Sequence, residues 1–170
     1  NANYQAAVLH AQLGDRDAAE QASGRALELW SAELARIPGD REAQRAVAES
    51  RNQIGVQAMS RGQLDAAVRA YDLGIAEIEQ VLAEGRDAPD LLVAGMLRHN
   101  LGIVAMRRNQ LAAAKKHALA AMTIYEELDT VADGTERLAT SSMLLGIILR
   151  GQRDFDGSRE AFRRSVALRR

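Results

Sequence analysis

Two amphipathic helical segments meet at a short polar bend between residues 51 and 75, and this pattern constrains the fold more than any other feature of the sequence. Apolar and small residues recur every three or four positions on both sides of Arg61-Gly62-Gln63, which is the spacing of one face of an α-helix. The small residues Gly55 and Ala67 allow two antiparallel helices to approach closely. Because one such hairpin cannot bury its apolar faces alone, the pattern predicts further copies.

Three further copies occur in the sequence, and all four agree at four columns. The small column of the first helices contains Ala7, Gly55, Gly102 and Gly146. The two small columns of the second helices contain Ala19, Ala67, Ala114 and Ser158, and then Ala26, Gly74, Ala121 and Ser165. The apolar column that follows contains Leu27, Ile75, Met122 and Val166. This agreement predicts an all-α protein, an α-solenoid of about four antiparallel helix hairpins.

The four hairpins belong to one predicted repeat domain. We place them at about residues 3–36, 40–84, 88–129 and 135–169, with bends near residues 14, 62, 109 and 152. Pro38 falls between hairpins and Pro89 in the first turn of the third, so neither interrupts a helix. In the last helix we expect Phe155, Phe162 and Val166 to point inward.

The arrangement of small and apolar residues resembles the tetratricopeptide repeat (TPR), and the resemblance covers nearly the whole chain. Equivalent columns lie about 44 to 48 residues apart here, against ~34 in the usual repeat. The linker Ile37-Pro38-Gly39-Asp40, with Gln44-Arg45 and Ser50 after it, is similar to the long repeats that follow many bacterial Ser/Thr kinases. The resemblance therefore implies a sensor or scaffold arm of a bacterial signalling protein.

Composition suits a protein outside the membrane. Hydrophobic residues make up 47% of the chain but aromatic residues only 4%, so the core must be built mainly from Ala, Leu and Gly. No run of 18 apolar residues and no signal-peptide pattern is present, so we expect no direct membrane insertion. We expect a cytoplasmic location, or a periplasmic one if the parent protein carries an upstream transmembrane helix. The chain begins without methionine and stops within a helical pattern, so we expect a fragment of a longer protein.

Residue patterns for catalysis or metal binding are absent. The three histidines, His10, His99 and His117, belong to different helices, and none has a histidine or carboxylate four residues later. Cysteine, glycine-rich phosphate loops and nucleophile elbows are also absent. We therefore expect no catalytic residue, no metal site and no cofactor, and we do not expect an enzyme.

Charge is unevenly distributed. From Arg150 onward the chain has seven arginines and three acidic residues, a local balance of about +4, whereas the whole chain has a net charge of −1. Because only two aromatic residues, Phe155 and Phe162, lie among these arginines, we expect a solvated helix face and no nucleic-acid partner. The same arginines are also able to steer an acidic protein partner.

The resemblance implies that the first helix of each hairpin lines a concave groove. The expected partner-binding residues are Asn52, Val56, Met59, Met96, His99, Asn100, Ile103, Met106, Arg107, Met143 and Ile147. Thr140 and Leu144 lie on the same helix face, at positions that are basic in the carboxylate-binding members of the family. Four of the five methionines fall on this surface, and methionine adapts to apolar partners of irregular shape. We therefore expect a protein or peptide segment, apolar or amphipathic, as the partner.

Three other uses of these surfaces stay open. A self-association module would form a homodimer through the groove or through the last helix, which has no following helix to cover its outer flank. A small-molecule sensor would need a pocket near His99 and Asn100. The methionine-rich face would instead be core if the long repeats closed the superhelix on itself.

Overall fold

The computed structural model describes residues 16–128 and 132–170, and the regular structure in these two ranges consists of seven α-helices without a strand. The helices are α1 Arg16–Arg36, α2 Arg41–Ser60, α3 Leu64–Glu84, α4 Ala88–Arg107, α5 Leu111–Glu126, α6 Ala132–Gly151 and α7 Phe155–Ala167. The predicted all-α fold is confirmed for this part of the chain. The first helix of the first predicted hairpin and the bend near residue 14 lie outside the described residues.

Contacts divide the chain into two compact units, Asn1–Arg86 and Asp87–Arg170. In the first unit α1 packs on α2 and α2 packs on α3. In the second unit α4 packs on α5, α5 on α6 and α6 on α7, and α4 also contacts α6. Packing of each helix on the next one in the chain is the pattern of a helical solenoid. The assignment of the whole chain to a single domain stays a prediction.

Three bends between paired helices share one backbone structure. The residue at the bend has a positive φ angle in each case: 75° at Gly62, 58° at Asn109 and 64° at Arg153. The next amide donates to the carbonyl five residues earlier, with N to O distances of 2.9 Å for Gln63 to Ala58, Gln110 to Ala105 and Asp154 to Leu149. These are Schellman motifs, in which a left-handed residue ends the helix. The predicted bends near residues 62, 109 and 152 are confirmed.

Glycines in the first helices make room for aromatic rings of the second helices. A Cβ atom added at Gly55 would lie 2.3 Å from the ring of Tyr71, and one added at Gly146 would lie 2.8 Å from the ring of Phe162. At Gly102 the nearest atom is instead Cδ2 of Leu144, at 3.3 Å, which belongs to α6. Close packing therefore accounts for Gly55, Gly102 and Gly146 in this column.

The inward direction predicted for Phe155 and Val166 is wrong. Phe155 is 61% exposed and Val166 is 54% exposed, whereas Phe162 is half-buried. The buried stripe of α7 consists of the small residues Ser158, Ala161 and Ser165. The three large apolar residues lie about a quarter-turn away from that stripe at 100° per residue. Small residues hold α7 close to α6, as the hydrogen bond from the Ser158 hydroxyl to the Gly146 carbonyl at 2.8 Å shows.

Within the two described ranges, no helix has a stretch of sufficient length and hydropathy to span a bilayer.

Candidate functional site

Two pairs of residues bring α6 against α4 in the second unit. The Leu144 side chain packs over Gly102, where the missing side chain leaves space. Three residues earlier on both helices, the Nδ1 atom of His99 lies 2.9 Å from the Oγ atom of Ser141. Because Leu144 is buried, the prediction that it faces an open groove is wrong.

A pocket of about 350 Å³ opens where α4, α5 and α6 meet. Its lining contains three residues from α4, one from α5 and five from α6. They are Met96, His99, Asn100, Tyr125, Asp133, Glu136, Arg137, Thr140 and Ser141. This volume lies at the lower end of the range for small-molecule pockets, about 300–1,000 Å³. The pocket combines an apolar wall at Met96 with several hydrogen-bonding groups.

His99 is a neutral group in this pocket. Burial and the nearby positive charge of Arg137 lower the pKa of His99 from 6.5 to about 4. The imidazole therefore carries no charge at neutral pH, and its Nδ1 atom is occupied by the fully buried Ser141 hydroxyl. This arrangement fixes the ring and makes His99 a polar wall of the pocket.

Tyr125 forms the floor contributed by α5. Its side chain is buried, and its ring packs so closely on α4 that a Cβ atom at Gly95 would lie 2.3 Å from Cε1 of Tyr125. Burial raises the pKa of Tyr125, although the charge and hydrogen bonding of Arg137 oppose that rise. The phenol therefore stays protonated at neutral pH.

Arg137 supplies the positive charge of the pocket. Its Nε atom is buried and lacks a hydrogen-bond partner among the described residues. Its immediate neighbours from α4 and α5 are the uncharged His99 and Tyr125. The two carboxylates of the lining, Asp133 and Glu136, belong to exposed residues, so they lie toward the mouth.

Arg169, which follows α7, contacts two residues at the mouth of the pocket. Nε of Arg169 lies 3.4 Å from Oε1 of Glu136, and Nη2 of Arg169 donates to the Thr140 hydroxyl at 3.3 Å. Thr140 in turn donates to the Glu136 carbonyl at 2.9 Å. One of the two carboxylates at the mouth is therefore partly neutralised by the protein itself.

Three of the predicted partner-binding residues, Met96, His99 and Asn100, meet in the pocket. The other predicted residues of the second unit continue the same faces of α4 and α6 at helical spacing. Of these, Ile103, Met106 and Ile147 are half-buried, and Arg107 and Met143 are exposed.

The predicted residues of the first unit lie on α2, and none of them belongs to the lining of the pocket. Val56 and Met59 are half-buried there. Asn52 is only 4% exposed, so its side chain offers little surface to a partner.

Sequence reasoning missed Tyr125, Arg137 and Ser141. Arg137 lies three residues before Thr140 and four before Ser141, which is the spacing of one helix face, so this spacing was the available signal. Tyr125 belongs to a second helix, whereas the family resemblance implies that first helices line the groove, so the sequence gives no signal for it. Only the packing of the ring on Gly95 brings it there.

Comparisons with known proteins agree with this architecture. Residues 96–128 and 138–170 match one tetratricopeptide repeat family model, and residues 1–29 match another. A search among curated proteins finds no match. The matched segments cover more than half of the chain, and the two in the second unit each contain parts of both helices of a hairpin. The similarity to the repeats of bacterial kinases stays a prediction. The chain belongs to the tetratricopeptide repeat family, whose repeats generally mediate protein–protein interaction or act as scaffolds.

Proposed function

We propose that the second unit binds an amphipathic segment of a partner protein along its α4–α6 face, defined here as Ile103, Met106, Met143 and Ile147. The observation that carries this proposal is that these apolar side chains stay partly exposed on the two first helices, next to the pocket. Met143 is 39% exposed, and the other three are half-buried. The α4–α6 face is thus neither closed core nor a polar surface.

The chemistry of the α4–α6 face favours an apolar or amphipathic partner. Methionine side chains are flexible and polarisable, so they adapt to a partner of irregular shape. Arg107 is exposed on the same side of α4 and offers a charged contact at the edge. A partner helix or extended segment with one apolar stripe and a polar outer side fits this pattern.

Modest affinity is expected for such a segment. Full burial of an exposed apolar side chain contributes roughly 1.5–3 kcal/mol, so four would contribute about 6–12 kcal/mol. Because three of the four are already half-buried, the contribution on binding is smaller than this. Association and side-chain ordering cost about 4–15 kcal/mol. We therefore expect a dissociation constant in the micromolar range.

A random peptide library selected on the intact protein tests the proposal. We expect enrichment of amphipathic sequences, and we expect the double variant Met106→Ser, Met143→Ser to bind the selected peptides at least ~10-fold more weakly. The matched control is Leu119→Ser with Val166→Ser, which removes two exposed apolar side chains of the same unit outside the α4–α6 face. The control should bind as the wild type does.

Two results would refute the proposal. One is a selection without enrichment of any amphipathic sequence; the other is equal loss of binding in the face variant and the control variant. A double variant that loses several kcal/mol of stability would show that Met106 and Met143 are core residues. Light scattering of the protein without peptide shows whether a second copy already covers the face.

The linker similarity to kinase-associated repeats supports a place for this chain in a bacterial signalling protein. That part of the proposal rests on residues 37–50 and not on the pocket or the α4–α6 face.

A further inference from the structure

The pocket between α4, α5 and α6 has chemistry of its own that the binding of an apolar segment does not use. Its positive charge, at Arg137, faces the uncharged side chains of His99 and Tyr125. A guanidinium in such surroundings binds a carboxylate well, because its N–H groups match two carboxylate oxygens. The inner part of the pocket therefore selects an anionic group.

The mouth of the pocket selects the opposite charge. Asp133 lies one helical turn before Arg137 on α6, and no ion pair joins these two described residues. Glu136 also lies at the mouth, although Arg169 partly neutralises it. A ligand with negative charge alone would meet these carboxylates on entry. A ligand with a carboxylate and a cationic group close to it matches both the positive inner part of the pocket and its negative mouth.

Size limits the ligand further. The pocket holds about 350 Å³, near the lower limit of small-molecule pockets at about 300 Å³. The Met96 side chain adds an apolar wall, and Asn100 adds an amide that both donates and accepts hydrogen bonds. A molecule with a short side chain beside its two charges fits these dimensions.

We propose that this pocket binds a small zwitterion of the amino-carboxylate class, that is, a free amino acid. The ligand carboxylate lies against the Arg137 guanidinium, and the ligand ammonium points to Asp133 at the mouth. The apolar side chain of the ligand lies against Met96. This site goes beyond the proposed binding of a protein segment, because it uses the polar pocket instead of the α4–α6 face.

Thermal unfolding of the protein with each of the twenty common L-amino acids tests the proposal. At saturation we expect at least one of them to raise the Tm by about 3 °C or more. Its deamino acid and its decarboxylated amine are the matched probes; for leucine these are 4-methylpentanoate and isopentylamine. Each lacks one of the two charges and should bind at least ~10-fold more weakly by calorimetry.

Two variants locate the site. Arg137→Met should weaken binding of the amino acid at least ~10-fold, and Arg163→Met, an exposed arginine outside the pocket, should leave it unchanged. Since Arg137 also supports Tyr125, the exposed Asp133→Asn serves as the second variant, with Glu160→Gln as its control. Asp133→Asn should weaken the amino acid but not the deamino acid.

Three results would overturn the inference. The first is the absence of any Tm shift with all amino acids. The second is equal binding of the amino acid and its deamino analogue, which would show a simple anion site. The third is unchanged binding in the Arg137 and Asp133 variants. Each of these results leaves the proposed peptide-binding function intact, because the peptide selection depends on Met106 and Met143.

Discussion

The imidazole of His99 on α4 and the hydroxyl of Ser141 on α6 lie 2.9 Å apart, and they join the first helices of two consecutive hairpins. Ser141 is fully buried, so the pair lies at the base of the pocket. Burial and the charge of Arg137 hold the pKa of His99 at about 4, well below its ordinary 6.5. The connection between α4 and α6 therefore contains a group that resists protonation.

Stability should consequently fall on acidification between pH 6.5 and pH 4. In this interval the unfolded chain binds a proton at residue 99 that the folded protein does not bind, so acid favours unfolding. The contribution of His99 is complete above pH 6.5 and decreases as the pH falls to about 4, by roughly 3 kcal/mol for this shift. Urea unfolding across this interval measures the effect.

The variant His99→Gln isolates this contribution from the other titrating groups. Stability depends on pH through every group that binds protons differently in the folded and unfolded states, so the difference between wild type and variant is the informative quantity. We expect a shallower decline in the variant than in the wild type. Parallel pH profiles for the wild type and His99→Gln would contradict the assignment.

Replacement of Gly95 by alanine should destabilise the protein. The added Cβ atom would lie 2.3 Å from the Tyr125 ring, which is buried and has little room to move. Overpacking of this kind lowers the free energy of unfolding by about 1–3 kcal/mol, and the better helix propensity of alanine offsets only ~1 kcal/mol of this loss. Gly24→Ala on α1 is the matched control, because no atom of the described residues lies within 4 Å of its added Cβ. We expect the control to gain stability in chemical denaturation, and a gain in both variants would contradict the packing described here.

The three described bends differ in how well their residues suit a left-handed backbone. Arg153 holds φ of 64° with a full side chain, whereas Gly62 holds 75° without one. Arg153→Gly should therefore stabilise the protein by up to about 1 kcal/mol, and Gly62→Ala should destabilise it by about 1 kcal/mol or more. Midpoints of urea unfolding give both values. Equal effects of the same sign would show that the bends do not share the Schellman geometry.

The exposed side of α7 should tolerate change where its inner side does not. Phe155→Ala should alter the free energy of unfolding by less than about 0.5 kcal/mol, as exposed substitutions usually do. Phe162→Ala should cost about 1–3 kcal/mol, because its half-buried ring fills the space beside Gly146. The order of the two values is the test. If the predicted homodimer forms through α7, Phe155→Ala should also reduce the mass measured by light scattering.

Local features of the fold were predictable because their causes are local in the sequence. The bends at Gly62 and Asn109 follow from turn residues between two amphipathic segments, and each is closed by hydrogen bonds within six residues. Gly55 and Gly146 were recognised as packing positions from their spacing alone. The sequence did not indicate that their contacts are aromatic rings.

The pocket was only partly predictable, because it depends on the approach of helices distant in sequence. Periodicity placed His99 and Asn100 on the correct face of α4, but nothing in the spacing showed that Ser141 lies opposite His99. The error at Phe155 has a related cause. A large apolar residue suggests burial, yet among the described helices α7 packs its backbone against α6 and buries one stripe there, which Ser158 and Ser165 occupy.

Each glycine and the ring that packs on it depend on each other, so replacing the glycine alone should reduce the stability of the protein. Gly95 and Tyr125 belong to a single hairpin, and so do Gly55 and Tyr71. A relative with a side chain at position 95 would need a smaller residue at position 125, so the two positions should change together over evolution. The preceding hairpin has this pairing of a side chain with a smaller partner. Ala48 stands there in place of Gly95 and Ile78 in place of Tyr125, and both are buried.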